Sequence, residues 1–199
     1  MTVLERLESE VLSKDIFGFV KVQKPENMAI VKRKIVPVAG DLVMNGLGMD
    51  KEVRAEITRE CDIIINCAAS INFDDPLLDA IQINFFGCMR MLELAKECQK
   101  LEVFTHVSTA YTNCEKFGLI EEKIYDMPDG KDSDDVINSI IKMGPEEVTL
   151  KQKEIIGDFP NTYTFTKSMA ERSLRKHSGN LRVAIMRPSI IISCYEEPC

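Results

Sequence analysis

Histidine is scarce in this 199-residue chain: His106 and His177 are the only two, far apart, with no His/Glu motif around either. That pattern argues against a metal enzyme, whose ligands come clustered at short spacings. No two of the seven cysteines stand as Cys-x-x-Cys, and their number is odd. Neither a zinc site nor a disulfide scaffold is expected, and reduced thiols in a cytosol-facing protein are the plain reading. No run approaches the ~18 apolar residues of a membrane span, so no bilayer crossing is expected of this chain. The opening Met1-Thr-Val-Leu-Glu-Arg brings acids early and no long apolar core, unlike a secretory signal. Basic residues are outnumbered, 25 Lys and Arg against 32 Asp and Glu, for a net charge of −7. A nucleic-acid partner, which calls for a basic stripe, is not expected. With 45% apolar and 29% charged residues, and no repeat or low-complexity tract, the composition is that of one globular domain.

Four short apolar runs read as strands: Lys34–Val38, Asp62–Ile65, Val103–Val107 and Arg182–Met186. Each is compact and β-branched rather than alternating, as for strands covered on both faces. Each ends in small, polar or proline residues, where a parallel sheet places its ligand loops. Helical patterns lie between them. Residues 50 to 59 carry Val53 and Ile57 behind a candidate N-cap, Asp50. The stretch 76–100 repeats Ile81, Phe85, Cys88, Leu92 and Ala95 along one helix face. Residues 161 to 176 place Phe165, Met169, Ala170 and Leu174 on a helical period, and an N-terminal helix is expected from Thr2 to Ser13. Strands alternating with helices imply an α/β fold with a parallel sheet. The segment Glu121–Asp135 breaks the pattern: seven acids against two bases carry five of the seven net negative charges. A solvated loop is the expected reading, with an acidic docking surface as its alternative.

The residues most suggestive of chemistry are Tyr163-Thr-Phe-Thr-Lys167. An i, i+4 spacing on a helix puts phenol and ammonium on one face. An ammonium beside a phenol favours phenolate, so a lowered tyrosine pKa is expected. About 55 residues upstream, Ser108-Thr109 follows an apolar strand. A carbonyl oxygen could take a hydrogen bond from that pair and a proton from Tyr163 while hydride arrives from a cofactor. Cys67-Ala-Ala-Ser70 follows a strand with small residues that let backbone approach a ligand. Gly40-Asp41 holds the same topological place, where a carboxylate can accept from an adenine amino group. Asn84 could hold a backbone group or water near the site, and Pro188-Ser189 ends the last strand on the substrate side.

In this order, Val-Ala-Gly-Asp41, Cys-Ala-Ala-Ser70, Ile-Asn84-Phe-Phe-Gly87, His-Val-Ser108-Thr109-Ala-Tyr, Tyr163-Thr-Phe-Thr-Lys167 and Arg187-Pro-Ser189 resemble the extended short-chain dehydrogenase/reductases. The runs Ala68-Ala-Ser-Ile-Asn-Phe73, Ser-Thr-Ala-Tyr111 and Gly157 through Glu171 are similar to the fatty acyl-CoA reductase, or male-sterility, branch, over about residues 34–199. The resemblance implies a Rossmann-like doubly wound parallel sheet and NADPH-dependent reduction of a long-chain fatty acyl-CoA to an aldehyde and then an alcohol. It implies Tyr163 as proton donor, Lys167 as the group that tunes it and holds the nicotinamide ribose, and Thr109, or Ser108 beside it, as the oxyanion-side hydroxyl. Asp41, Ala68 and Ala69 would line the adenine half of the cofactor, with Asn84, Pro188 and Ser189 completing the binding edge. It further implies peroxisomal or ER-membrane association of a full-length protein.

The Gly-x-x-Gly-x-x-Gly turn that would seat a pyrophosphate on a helix N-terminus is absent. Gly46-Leu-Gly48 has Lys51 in the third glycine position and lies in the loop after Asp41, so it is a decoy. A partial NAD(P)-binding domain over 1–199 is therefore expected, lacking its first strands and Gly-rich turn. A non-catalytic remnant and a carrier-protein thioester reductase domain stand as alternative readings.

Overall fold

The computed structural model of the chain describes residues 1–127 and 129–191. It divides into two compact units, Met1–Gly40 with the segment from Ile190, and Asp41–Ser189.

The first unit is helical. Thr2 opens α1 (Val3–Arg6) through a capping box with Glu5, and the helix runs on into a π turn over Leu7–Val11. Helices α2 (Gly18–Gln23) and α3 (Pro25–Lys34) follow, and Lys32 reaches back to Glu8 at 2.7 Å. The strand expected at Lys34–Val38 does not form: Lys34 is the last residue of α3, and extended backbone follows from Ile35. Extended chain becomes a strand only when a neighbour meets its N–H and C=O groups. Among the described residues nothing does so.

The second unit is a Rossmann-like α/β layer built on a parallel sheet. Helix α4 (Lys51–Glu60) starts at Asp50, whose carboxylate accepts from the amides of Glu52 and Val53. Strand β1 (Ile63–Asn66) leads into α5 (Leu77–Ala80), a π turn (Ile81–Phe86) and α6 (Gly87–Glu97), which run on with helical backbone throughout. Strand β2 (Val103–Val107) is followed by α7 (Ser133–Met143), α8 (Pro145–Ile156) and α9 (Thr162–His177), then β3 (Val183–Met186). The strand order is β1-β2-β3, all parallel, with Ile64 opposite Phe104 and Phe104 opposite Val183.

One face of the sheet is buried. Ile64 and Phe104 pack against Ile81, Phe85, Cys88, Leu92 and Ala95, the helix face expected from the spacing, and against Phe165, Met169, Ala170 and Leu174 of α9. The other face departs from expectation: Ile63 and Ile65 are 51% and 64% exposed, and Ala184 and Met186 are exposed beside them. Continuous apolar character signals two buried faces, yet only one is covered among the described residues. Gly87 is required by a close approach, since a Cβ there would sit 3.1 Å from Cβ of Leu42.

The acidic segment is neither freely solvated nor left open as a docking face. It lies against the basic end of α9 and closes into the start of α7. Asp132 caps α7 by accepting from the amides of Asp134 and Asp135. Lys176 pairs with Asp132 at 2.8 Å and Asp134 at 2.7 Å, His177 meets Asp134 at 2.6 Å, and Arg175 pairs with Asp126. Asp132, Asp134 and Asp135 thus gather at the α7 N-terminus, where the macrodipole favours acids, and face three basic side chains in the last turn of α9. Asp134 also accepts from the Ser173 hydroxyl at 2.6 Å.

Burial alone would raise the Asp134 pKa, but the bonds from Lys176, Ser173 and His177 outweigh it and hold the carboxyl at about 2. A value depressed below the ordinary 3.8 contributes stability that is complete above that value and lost as pH falls towards 2. Thermal melts between pH 5 and pH 2 should show Tm falling through this window, and Asp134→Asn should flatten the fall. An unchanged acid slope in the variant would remove Asp134 from the account.

Candidate active site

Parallel strands bring their C-terminal ends to one edge, and three sequence segments meet there. Past the end of the β2–β3 ladder, the Ser108 amide donates to the Met186 carbonyl at 2.7 Å and the Ala110 amide to the Pro188 carbonyl at 2.9 Å. Pro188 therefore holds the loop that presents Thr109, while Ser189 is exposed beside it. Thr109 is extended, and its hydroxyl accepts from the Tyr111 amide at 3.3 Å, opening a 3-10 turn over Ala110–Asn113. Ser108 Oγ is buried with no hydrogen-bond partner.

Helix α9 supplies the phenol and the ammonium. Asn161 caps its start by accepting from the Thr164 amide at 2.9 Å, and the Thr162 hydroxyl donates to the Asp75 carbonyl at 3.0 Å. These contacts fix the first turn, with Tyr163 half-buried and Lys167 one turn on at 3% exposure. Burial raises the phenol pKa above its ordinary 10.0, and a hydrogen bond with the Thr109 side chain opposes the rise. The expected lowering by Lys167 is not what the structure shows. The ammonium points to the end of β2, donating to the Val107 carbonyl at 2.8 Å, and burial lowers its own pKa. Desolvation, not a neighbouring charge, dominates both groups.

The loop after β1 is pinned by Asn84. Its Nδ2 donates to the Ser70 carbonyl at 3.1 Å and to Thr166 Oγ1 at 3.2 Å, and its Oδ1 accepts from the Ser70 amide at 2.9 Å. Asn84 thus joins the Cys67–Ser70 loop to α9 one residue before Lys167. Both ends of its amide are occupied by protein groups. Cys67 and Ala68 are exposed and Ala69 is half-buried, so small side chains line an open stretch of backbone. Asp41 is exposed, and its Oδ1 accepts from the Val43 amide at 2.9 Å, shaping its own turn. Gly46, Leu47 and Gly48 all take positive φ in a left-handed turn that buries Leu47, so the decoy glycines shape a loop next to Asp41.

Beneath Lys167 lies a buried group that spacing in the sequence does not reveal. Asn66 Nδ2 and His106 Nδ1 are 3.1 Å apart, and Cys88 Sγ is 3.5 Å from the same ring nitrogen. Burial, with the nearby Lys167 charge, pushes the His106 pKa down to about 3. Burial pushes the Cys88 thiol up to about 12, so both side chains are neutral near pH 7. The signal in the sequence is the pairing of period-2 positions on two strands, and it needs the β1–β2 register to be read.

Removing Asn84 leaves the Ser70 amide and carbonyl without their partner. Asn84→Ala should destabilise the chain by ~1–3 kcal/mol and speed hydrogen exchange at the Ser70 amide. A Ser70 amide protected as in the parent would show that the loop is held by something else.

The male sterility protein family matches residues 1–199. The chain is 38% identical over 200 residues to fatty acyl-CoA reductase 2 of Mus musculus, covering 99% of this chain and 37% of that protein. It is 36% identical over 190 residues to fatty acyl-CoA reductase 1 of Xenopus laevis, covering 96% and 36%. It is 34% identical over 220 residues to the alcohol-forming fatty acyl-CoA reductase of Simmondsia chinensis, covering 99% and 45%. The chain thus spans less than half the length of these relatives. Its fold is shared with the terminal R domain of the myxalamid PKS-NRPS pathway, with a TM-score of 0.53 and 24% identity over 82% of this chain and 35% of that one. A thiolation-reductase di-domain from an archaeal non-ribosomal peptide synthetase aligns at TM-score 0.51 and 20% identity, covering 81% and 29%. With the family matched along its whole length and relatives sharing more than a third of its residues, the chain belongs to the male sterility protein family of oxidoreductases, that of the fatty acyl-CoA reductases.

Proposed function

We propose that this chain is a partial NAD(P)-binding domain carrying the reductase site of a fatty acyl-CoA reductase, converting a long-chain acyl-CoA to an aldehyde and then an alcohol with NADPH. The observation that carries the reading is the meeting of the Thr109 hydroxyl, the Tyr163 phenol and the buried Lys167 at the C-terminal edge of the sheet. The choice of NADPH over NADH rests on the family resemblance alone.

The residues present fit the two ends of such a cofactor. The buried ammonium of Lys167 suits the nicotinamide ribose, while the open backbone at Ala68 and Ala69 suits the adenine half, where Asp41 keeps one carboxylate oxygen free for an amino group. Among the described residues no strand, glycine turn and helix N-terminus stand together, so none is assigned to the pyrophosphate. When bound, a reduced nicotinamide supplies the hydride. The hydroxyls of Thr109 and Tyr163 hold the substrate carbonyl oxygen, where negative charge grows. Tyr163 gives that oxygen its proton, and Lys167 holds the nicotinamide ribose beside it. Collapse of the resulting hemithioacetal breaks the C–S bond and releases CoA as its thiol, leaving an aldehyde. Once Tyr163 has regained a proton from solvent, and with a second reduced cofactor supplying hydride, the same phenol would protonate the aldehyde oxygen to give the alcohol. Asn84 acts through the Ser70 loop, and Ser108, buried behind Thr109, is the second candidate hydroxyl. In the full-length protein this site would face the cytosol from a peroxisomal or ER membrane. No helix among the described residues is long and apolar enough to cross one.

Tyr163→Phe should abolish acyl-CoA-dependent NADPH oxidation, a loss of about 100-fold or more, while leaving NADPH-induced thermal protection in place. Unchanged turnover would remove Tyr163 from the chemistry, and a chain that NADPH neither binds nor protects would point to the non-catalytic alternative. Because burial raises the phenol pKa, the proton donor stays loaded through neutral and mildly alkaline pH. The reductive rate should fall with pH only above the ordinary tyrosine value of 10.0. A basic limb near pH 7 in the pH–rate profile would contradict this.

A further inference from the structure

A cavity of about 440 Å³ is lined by Phe73 and by Thr162, the residue before Tyr163, and the proposed chemistry does not use it. Phe73 and Asp74 of the loop after β1 form one wall, Gln152, Lys153 and Ile156 of α8 a second, and Pro160 and Asn161 with Thr162 at the start of α9 a third. Phe73 joins the cavity to the reacting edge: its ring lies 5.6 Å from that of Tyr163, centroid to centroid. The wall is well anchored, because Asn72 Nδ2 donates to Asp75 at 2.7 Å, Ser70 bonds the same carboxylate, and Thr162 holds the Asp75 carbonyl.

The lining is mixed, and its polar groups have unused capacity. Gln152 Oε1 accepts from the Leu77 amide at 3.1 Å, which leaves the Nε2 hydrogens free. Asn161 Oδ1 caps α9 through Thr164, which leaves its Nδ2 free as well. The Asp74 carboxylate makes no hydrogen bond or ion pair among the described residues; only its backbone amide is engaged, by Asn72. Two free amide donors and a free carboxylate acceptor therefore surround an apolar floor of Phe73, Ile156 and Pro160. An acyl chain would leave those three groups without partners. Lys153, which donates to the Gly157 carbonyl at 3.3 Å, balances the Asp74 charge, so the lining has no net charge to select a phosphate.

We propose that this cavity binds the pantetheine arm of the thioester substrate, an inference that rests on the reductase reading above. The arm carries two secondary amides, whose carbonyls match the Gln152 and Asn161 donors and whose N–H groups match Asp74. Its gem-dimethyl group suits the apolar floor. The thioester end then passes Phe73 to reach Tyr163. The same arm is presented by CoA and by the phosphopantetheine of carrier proteins, so the site recognises what the two sources share.

The test measures binding by calorimetry to S-octyl-pantetheine, an unreactive thioether, with octanoate as a competitor that has no arm. Gln152→Glu keeps the acceptor for the Leu77 amide and replaces the free donor with a charged carboxylate oxygen, and Asp74→Ala removes an exposed carboxylate that holds nothing else in place among the described residues. Each should weaken S-octyl-pantetheine on the order of tenfold, and Asp74→Asn, which keeps an acceptor oxygen, should recover most of the loss. Leu150→Ala, at an exposed position outside this lining, serves as the unaffected control. S-octyl-CoA and an S-octyl carrier protein should weaken by the same factor as the bare arm, and whichever binds tighter to the unaltered chain identifies the source. The proposal is overturned if S-octyl-pantetheine does not bind, if the variants bind it unchanged, if octanoate displaces it, or if only the CoA form is weakened. NADPH oxidation with octanal, which has no arm, separates the two readings. Its absence in the unaltered chain would sink the reductase assignment without touching arm binding.

Discussion

The ammonium of Lys167 is buried against a single carbonyl, that of Val107, and the arrangement of the sheet edge depends on that contact. A cation taken out of water is costly unless its partners are fixed, so the helix that carries it must sit in one place relative to the end of β2. The surroundings lower the lysine pKa by desolvation and raise that of Cys88, while His106 is held neutral close by. Glu171, buried one turn further along α9, opposes the fall in the lysine pKa. With Lys167 set, Tyr163 falls one helical turn away, within reach of the Thr109 side chain.

Helix α9 shows how far this constraint extends. Thr162, Thr164, Thr166, Lys167, Ser168, Glu171, Arg172 and Ser173 are all buried, so the helix is enclosed although half of its surface is polar. Such burial is costly for any group without a partner, and among the described residues Arg172 Nη2 makes no hydrogen bond and lies 4.0 Å from a Glu115 carboxylate oxygen. Thr162 holds the Asp75 carbonyl, Thr166 bonds Asn84 and the carbonyl of Thr162, and Glu171 forms a two-pronged pair with Arg187 at 2.9 and 2.5 Å. The acidic segment closes the far end through Asp126, Asp132 and Asp134. The helix is held along its length by polar contacts, and its first turn is presented to the sheet edge as a rigid platform.

The same logic separates groups that position from groups that can react. Asn84 spends its amide on Ser70 and Thr166, so it acts through the loop it holds. Thr109 and Tyr163 keep capacity for a ligand, and the cavity beyond Phe73 keeps more.

Periodicity made much of this legible from the amino-acid order. The face Ile81, Phe85, Cys88, Leu92, Ala95 is buried as its spacing implies, Asp50 caps α4, and β2 spans Val103–Val107 as read. The Tyr163–Lys167 pair and the Asn84 position were visible for the same reason: a helix converts spacing into a shared face. Three readings needed the tertiary structure. Among the described residues, 34–38 have strand character but no pairing partner, the outer sheet face has apolar residues but no cover, and the acidic segment has found its counter-charges on α9. Local periods and caps depend on neighbours a turn away, which the sequence by itself determines. Strand pairing, face coverage and charge partners depend on segments up to ~50 residues distant or more, and only the folded chain decides which of them meet.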